Sequence, residues 1–302
     1  MKNRIHRLVG LLAIIAALCS TEAAAQKLKP FVLVSETPGE VAATVTAATG
    51  KLKAAGFEIA GSYQPYPDAA VIVVTNDALR TAAGKSEFGA YGAGMRVSVT
   101  KINGKVQLAY TNPTYIANAY RMNDDLADAK QRLAKALGTG TEYGPKEGIE
   151  PDDLREYHYM FGMEYFTDPV LLNRYLNHQE ALDIIEANLK KGKSGLSKVY
   201  RIDIPGKQET VFGVAMAGGK NGKKNQDDAY LMSEIDFKDL RSTAHLPYEL
   251  VVAEDKAFAL NARFRIAINF PDLAMTGANS FMNIMGAPDA IASALTAVSE
   301  KY

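Results

Sequence analysis

The chain has 302 residues, with 34 Lys and Arg against 34 Asp and Glu, and 47% of its residues are hydrophobic. This apolar fraction is typical of a globular protein and excludes disorder along the whole chain. The balanced charge excludes a general nucleic-acid binder, which needs a surplus of Lys and Arg to meet phosphates. At about 150 residues per domain, the length predicts two domains.

Residues 1–25 have the pattern of a signal peptide. Three basic residues, Lys2, Arg4 and Arg7, precede the apolar run 8–18. That run is too short to span a bilayer as a stable helix. Ala23-Ala24-Ala25 fits the small-residue rule of signal peptidase, so we predict cleavage near Ala25 and a periplasmic or secreted protein.

Two alternatives to simple secretion remain: a lipoprotein anchored through Cys19, and an uncleaved membrane anchor. A lipoprotein signal needs a small residue before the cysteine, and Leu18 stands there. Cys19 is the only cysteine, so a chain cleaved after Ala25 has no disulfides and no thiol chemistry. No later apolar run is long enough to predict a membrane span in the mature chain.

The clearest linker lies near the middle of the chain. Residues 138–151 contain four glycines and two prolines with few apolar side chains, a composition that disfavours both helix and sheet. The sequence therefore predicts a first domain over 26–138, a linker over 139–150 and a second domain over 151–302.

The first half alternates strand and helix signals. Asn103-Gly104 between two alternating runs is a strong hairpin signal, and Asn76 can cap a short helix. The predicted strands are 31–34, 57–63, 70–75, 96–100 and 105–110, and the predicted helices are 40–55, 78–83 and 124–137. This order favours an α+β fold in which helices pack on an antiparallel sheet.

The second half repeats this order of signals. We predict a strand-like segment over 163–169, a helical region to Lys191, strands over 198–204, 210–216, 248–252 and 262–268, and a last helix from Pro288 to Ser299. The fold class is therefore α+β with two tandem similar lobes. The alternative is a single elaborated domain.

Residues 41–122 resemble a known bacterial family. The resemblance runs from Lys51-Leu-Lys-Ala-Ala-Gly-Phe57 through Val71-Ile-Val-Val-Thr-Asn76 and Met95-Arg-Val-Ser-Val99. Its most specific part is the closing Gly104-Lys-Val-Gln-Leu-Ala-Tyr-Thr-Asn-Pro113-Thr-Tyr115. The chain here is similar to the family catalogued as domain of unknown function 302, and the second half is only weakly similar. The resemblance implies a small α+β domain and no activity.

An acidic stretch follows a glycine-rich, basic loop at 217–225. It contains Asp227, Asp228, Glu234, Asp236 and Asp239. Calcium loops need alternating oxygen ligands around a glycine, and that order is missing here. We predict a solvated acidic surface, with a weak cation site as the alternative.

The segment 157–165 alternates aromatic and other residues, which predicts a strand. On a strand His158 and Met160 share a face, about 7 Å apart by strand rise. Imidazole and thioether are plausible ligands for copper or haem iron, so these two residues form a candidate metal site, with Met163 or with Met282 and Met285 as further ligands. The alternative is sheet packing with a hydrogen-bonded histidine.

The sequence carries no catalytic motif. Together with 15 Tyr and two similar halves, this favours a non-catalytic periplasmic protein that binds a small molecule or a periplasmic protein partner. Metal or haem handling through His158 and Met160 is the first alternative. A hydrolase that uses paired carboxylates is the second, because many Asp and Glu side chains are present.

Overall fold

A computed structural model describes residues 26–218 and 224–301 of the chain. The predicted signal peptide, with Cys19, and residues 219–223 of the glycine-rich loop lie outside the described residues.

The first half begins with a strand and helix and continues through two hairpins. Its elements are β1 (Phe31–Pro38), α1 (Val41–Ala54), β2 (Glu58–Tyr63), β3 (Ala69–Thr75), α2 (Asp77–Gly84), β4 (Met95–Ile102), β5 (Lys105–Thr111), α3 (Pro113–Ala119), α4 (Ala127–Leu137), β6 (Thr141–Tyr143) and α5 (Pro151–Arg155). The Asn76 side chain accepts a 2.8 Å hydrogen bond from the Leu79 N–H and so caps α2, as predicted.

The second half follows the same order of elements. They are β7 (Val170–Arg174), α6 (His178–Lys190), β8 (Leu196–Asp203), β9 (Glu209–Met216), α7 (Asp228–Ile235), β10 (Tyr248–Ala253), β11 (Lys256–Ala259), α8 (Ala262–Asn269) and α9 (Ala287–Ser299). Pro288 lies in the first turn of α9, where its missing N–H costs no hydrogen bond.

Both sheets are antiparallel, which confirms the α+β fold class. The first has the order β2-β3-β4-β5-β1-β6, and the second has the order β8-β9-β10-β11-β7. Counted along the chain, the five shared strands therefore follow the same order in the two sheets. That the halves arose by duplication stays a prediction.

The two sheets pack face to face, with helices on their outer faces. Side chains alternate across a strand, so β10 directs Leu250 and Val252 outward and Val251 inward. The outward residues join a core under α6 and α9, whereas Val251 joins the core of the first half. Helix α1 covers the outer face of the first sheet at β3 and β4. The first core is thus continuous across both halves.

A buried charged cluster joins the inner faces. Arg96 on β4 donates to Glu249 on β10, and Arg265 on α8 lies 3.4 Å from the same carboxylate. Tyr200 on β8 donates a 2.5 Å hydrogen bond to Glu249. All three charged side chains are at most 2% exposed, so the cluster lies away from solvent and fixes the halves relative to each other.

Each half also sends a segment across the inner face of the other half's sheet. Residues 85–94 lie on the second sheet, where the Ala90 N–H donates to Glu209 and the Tyr91 hydroxyl donates to the Phe258 carbonyl. Residues 236–247, here called the crossing segment, lie on the first sheet. The two halves therefore interlock.

The prediction of a strand over 262–268 is wrong, because these residues form α8. On a strand Arg263 and Arg265 would share a face. On the helix only Arg265 turns inward, where it donates to the carbonyls of His245 and Pro247 at 2.6 and 2.5 Å. The true hairpin partner of β10 is the short β11, and Asn261 caps the helix that follows.

The prediction of a strand over 157–165 is also wrong. These residues contain turns, and one places the Met163 N–H 3.0 Å from the Met160 carbonyl. The strand of this region comes later, at β7. Next to these turns in the chain, the Phe166 ring is buried in the first core and stacks on the Tyr120 ring, with 5.4 Å between the ring centres.

The predicted linker is partly built into the first sheet. Residues 141–143 form β6, which pairs with β1, and Ile149 forms a bridge with Leu28. The predicted boundary between two domains stays a prediction. Helix α3, which begins at Pro113, is an element that sequence reasoning missed.

One helical stretch of the described chain, Phe281–Ser299, is long and apolar enough to be considered as a membrane span. Its buried residues Ile291, Leu295 and Val298 face the second core, which accounts for its apolar character. The described residues thus contain no clear membrane span.

Candidate ligand-binding site

The crossing segment is held to the first sheet by polar side chains. The Gln107 amide on β5 donates to the Asp239 carbonyl at 2.7 Å and accepts from the Arg241 N–H at 2.9 Å. The Tyr143 hydroxyl on β6 donates to the Arg241 carbonyl at 2.6 Å. Since these partners come from two strands, the segment has a fixed path over the sheet.

Asp236 begins this segment and is buried, with 3% of its surface exposed. Its two carboxylate oxygens lie 2.8 and 3.0 Å from the Ser242 backbone nitrogen, which donates to them. Burial raises the pKa of Asp236 to about 7, although the hydrogen bond from Ser242 opposes this shift. The carboxylate closes the loop between residues 236 and 242 into a compact turn.

A second acidic residue, Asp228, is likewise buried. It accepts 3.1 Å hydrogen bonds from the Tyr63 hydroxyl of the first half and from the Met216 N–H. Burial raises its pKa to about 7. The prediction that the acidic stretch forms a solvated surface is therefore wrong for Asp228 and Asp236. Both carboxylates are buried and accept hydrogen bonds from other parts of the protein.

Beside the crossing segment lies a cavity of about 320 Å³ to which both halves contribute. It lies between β6 and the residues that follow it, the crossing segment, and the end of α8. Its apolar walls come from eight residues: Tyr143, Pro145, Ile235, Phe237, Leu240, Phe270, Pro271 and Leu273. This volume suits a small organic molecule.

Two polar groups in the cavity wall are left for a ligand. Ser242 uses its N–H for Asp236, and Asn269 uses its Nδ2 for the Arg265 carbonyl. In the described part of the chain no hydrogen bond engages the Ser242 hydroxyl or the Asn269 Oδ1. Both residues are at least 94% buried, which makes these groups well positioned to orient a bound molecule.

Charged residues surround the apolar walls. Lys29, Lys146 and Lys238 line the cavity together with Glu142 and Asp272. Asp272 accepts a 2.6 Å hydrogen bond from the Lys146 N–H and lies 3.8 Å from the Lys238 ammonium group. The Lys29 ammonium group donates to the Lys146 carbonyl at 3.0 Å. With Asp236 the lining holds three lysines and three carboxylates, and of the three lysines only Lys146 has an ammonium group without a hydrogen-bond or ion-pair partner among the described residues.

The structure places the predicted metal ligands elsewhere. His158 lies in the turn-rich segment with its ring 4.5 Å from that of Tyr165 and its Nδ1 3.4 Å from the Glu156 carbonyl. Met160 is 45% exposed. Because the segment is not a strand, the shared strand face that motivated the pair does not exist. No group of three or more His, Cys, Asp or Glu suited to a metal occurs among residues 26–218 and 224–301.

Sequence reasoning missed Ser242 and Asn269. Neither belongs to a motif, and they are brought together only because the crossing segment and α8 meet at one end of the sheets. Comparisons of the chain with family models, with curated proteins and with solved structures find no match.

Proposed function

We propose that this is an exported protein that binds a small molecule in the cavity between its halves, without converting it chemically. The observation that carries the proposal is the cavity itself. It is largely apolar, is lined by both of the interlocked halves, and contains two polar groups that make no hydrogen bond to the described residues. That combination is typical of ligand-binding sites.

The chemistry of the walls indicates the class of ligand. Phe237 and Phe270 suit a flat apolar body, whereas the Ser242 hydroxyl and Asn269 Oδ1 suit a hydrogen-bonding group at its inner end. The Lys146 ammonium group, which has no hydrogen-bond or ion-pair partner among the described residues, favours an acidic group on the ligand. We therefore propose a small aromatic or aliphatic carboxylic acid as the ligand.

Binding without turnover is favoured over hydrolysis by the state of the carboxylates. A glycoside hydrolase needs two carboxyl groups that face the reacting bond. Here both oxygens of the buried Asp236 lie against the Ser242 N–H, and Asp272 accepts from the Lys146 N–H and pairs with Lys238, so both carboxylates have structural partners.

Native mass spectrometry of the protein isolated from a bacterial periplasm tests the proposal. We expect a chain that begins at Gln26 and carries a small molecule, or binds one from a set of small aromatic acids. Ser242→Ala keeps the backbone N–H but removes the hydroxyl, and should weaken binding about 2- to 10-fold. Ser197→Ala, at an exposed position on β8, is the matched control and should bind like the parent.

Failure to detect any bound acid at millimolar concentration, or equal binding by both variants, would refute the site. A precursor that keeps residues 1–25 would refute export alone, because the cavity does not depend on cleavage.

A further inference from the structure

One long stretch of the protein's surface has no charged residues. Residues 273–286 contain no Asp, Glu, Lys or Arg, although 23% of the whole chain is charged. Most of this stretch is exposed or half-buried, and Met282 and Met285 are 57% and 65% exposed. The centre of a protein interface is depleted of charged residues and enriched in aromatic residues and methionine. The composition of 273–286 therefore indicates a surface that contacts protein.

The turn over residues 160–163 presents an aromatic ring to solvent. The Met163 N–H donates to the Met160 carbonyl at 3.0 Å, and Gly162 has the positive φ that a type II turn needs at this position. Phe161 occupies the other central position of the turn and is fully exposed. Because burial of a phenylalanine is favourable, a ring that lies entirely in water offers a contact to another molecule.

An apolar groove joins this turn to the uncharged stretch. Tyr159 and Met163, which stand two residues before and after Phe161, line the groove together with Met275 and Phe281 of the stretch. Helix α8 supplies a further wall. The groove is shallow, with a volume of about 20 Å³, so it does not enclose a small molecule as a ligand pocket does. It suits an aromatic ring that lies along it.

The charges at the groove favour a second copy of the chain over a membrane. Arg263 is the only charged residue among the described residues that line the groove, and its guanidinium group pairs with Glu164 at 2.8 Å. An anionic membrane attracts clusters of Lys and Arg, which the lining does not contain. Two copies that met at this face would bring no uncompensated like charges together.

We propose that two copies of the chain form a dimer in which the Phe161 ring of each copy lies in the groove of the other. Ring and groove belong to one face of the molecule, so a two-fold axis at that face forms both contacts at once and closes the assembly. A buried aromatic side chain contributes about 150–250 Å², and standard interfaces bury about 1,600 Å² in total, so the dimer is weak. It needs no ligand in the cavity.

Sedimentation equilibrium of the purified protein from micromolar to millimolar concentration tests the dimer. We expect a reversible equilibrium between monomer and dimer. Phe161→Ser should weaken dimerisation about 10-fold or more, because each copy loses the ring that its partner covers. Leu176→Ser is the matched control, since Leu176 is 83% exposed but does not line the groove, and it should dimerise like the parent. Both side chains lie in solvent, so neither change should lower the melting temperature.

Photo-crosslinking locates the contact. The photoreactive residue p-benzoylphenylalanine at position 161 keeps an aromatic ring at the tip of the turn. After irradiation, mass spectrometry of the covalent dimer should find this residue joined to positions 159–163 or 266–281 of the other copy. The same photoreactive residue at position 176 should give no covalent dimer.

Three outcomes would overturn the inference. The first is a monomer at every concentration up to millimolar. The second is a dimer that Phe161→Ser weakens no more than Leu176→Ser does. The third is a cross-link from position 161 to a part of the other copy outside the groove. If the monomeric protein instead bound vesicles of phosphatidylcholine and lost this binding in Phe161→Ser, the face would belong to a lipid surface and the dimer would be wrong.

Discussion

Glu249 is the residue on which the contact between the halves depends most. It lies within reach of two buried guanidinium groups and accepts a hydrogen bond from Tyr200. Replacing one partner of a buried ion pair leaves the other charge without compensation, which costs more than the pair contributes when intact. Its role is structural, since no solvent reaches it.

Glu249→Gln should lower the free energy of unfolding by about 3–5 kcal/mol, because both arginines lose their counter-charge. Tyr200→Phe should cost about 1.5–3 kcal/mol, the usual range for a hydrogen bond to a charged group. Urea unfolding measures both values. Glu58→Gln, at an exposed ion pair with Arg80 on the surface, is the control and should cost at most about 1 kcal/mol. If Glu249→Gln lowered the free energy of unfolding by less than Glu58→Gln does, Glu249 would not hold the two halves together.

Asp236 makes stability depend on pH in an unusual direction. Its pKa in the folded state is about 7, above the ordinary value of 3.8, so the folded chain binds a proton more tightly than the unfolded chain. Its contribution therefore stabilises the fold at acidic pH and is lost as the pH rises from about 4 to 7, by at most about 1.4 kcal/mol per pH unit.

Asp236→Asn should remove the part of the pH dependence of stability that Asp236 causes, because the amide does not ionise. Relative to the parent, the free energy of unfolding of the variant is expected to increase between pH 4 and pH 7 and to stay level above pH 7. Thermal unfolding across this range measures the difference. A constant difference between the two proteins at every pH would mean that Asp236 titrates normally.

At the scale of single elements, the edge strands β2 and β8 make a tightly constrained contact. A Cβ atom placed on Gly61 would lie 2.1 Å from the Val199 carbonyl oxygen, far inside contact distance. Both strands carry a bulge at this point, between Ile59 and Gly61 and between Lys198 and Tyr200. The bulges turn the two edges towards each other, and this close approach covers edges that would otherwise be open to pairing.

Gly61→Ala should therefore separate β2 from β8 and destabilise the protein by more than 2 kcal/mol, as for other backbone clashes that force the chain to shift. Gly50→Ala is the matched control, because Gly50 lies in α1 with nothing within 4 Å of its added methyl group. It should stabilise the protein by about 0.5–1 kcal/mol through helix propensity. Circular dichroism during thermal unfolding distinguishes them, and equal melting temperatures would contradict the close contact.

Elements set by local signals could be predicted from the sequence. The hairpin at Asn103-Gly104 and the cap at Asn76 depend on residues within a few positions of each other. Helix α8 could not be predicted in the same way. Its alternating Arg and apolar residues fit a strand, and only the distant carbonyls of His245 and Pro247 determine that Arg265 is buried. Ser242 and Asn269 meet for equally non-local reasons.

At the scale of the whole molecule, the two halves behave as one interlocked unit. The crossing segment lies on the first sheet, residues 85–94 lie on the second, and the core continues between them. A hinge that opened the space between the sheets would break the buried cluster around Glu249. A ligand of the proposed kind would therefore reach the cavity at its border, without separation of the halves.

The interlock predicts a single unfolding transition. Calorimetric and van't Hoff enthalpies should agree, and near- and far-ultraviolet circular dichroism should report the same midpoint. Residues 26–150 or 151–301 expressed alone should lack cooperative unfolding, because each loses the other wall of the shared core. Two separate transitions in the whole chain would show instead that the halves fold independently.

The pairing of Arg96 with Glu249 also has a consequence during synthesis. The two residues are 153 positions apart in the chain. When the ribosome has completed the first sheet, the strands that cover its inner face have not yet been made. The nascent chain thus exposes a sheet face that is buried in the folded protein and carries both apolar residues, such as Val71 and Val73, and the charged Arg96. Partly folded states with exposed apolar residues are prone to aggregation. Chaperones that hold the chain unfolded until residue 249 has emerged would protect it during this interval.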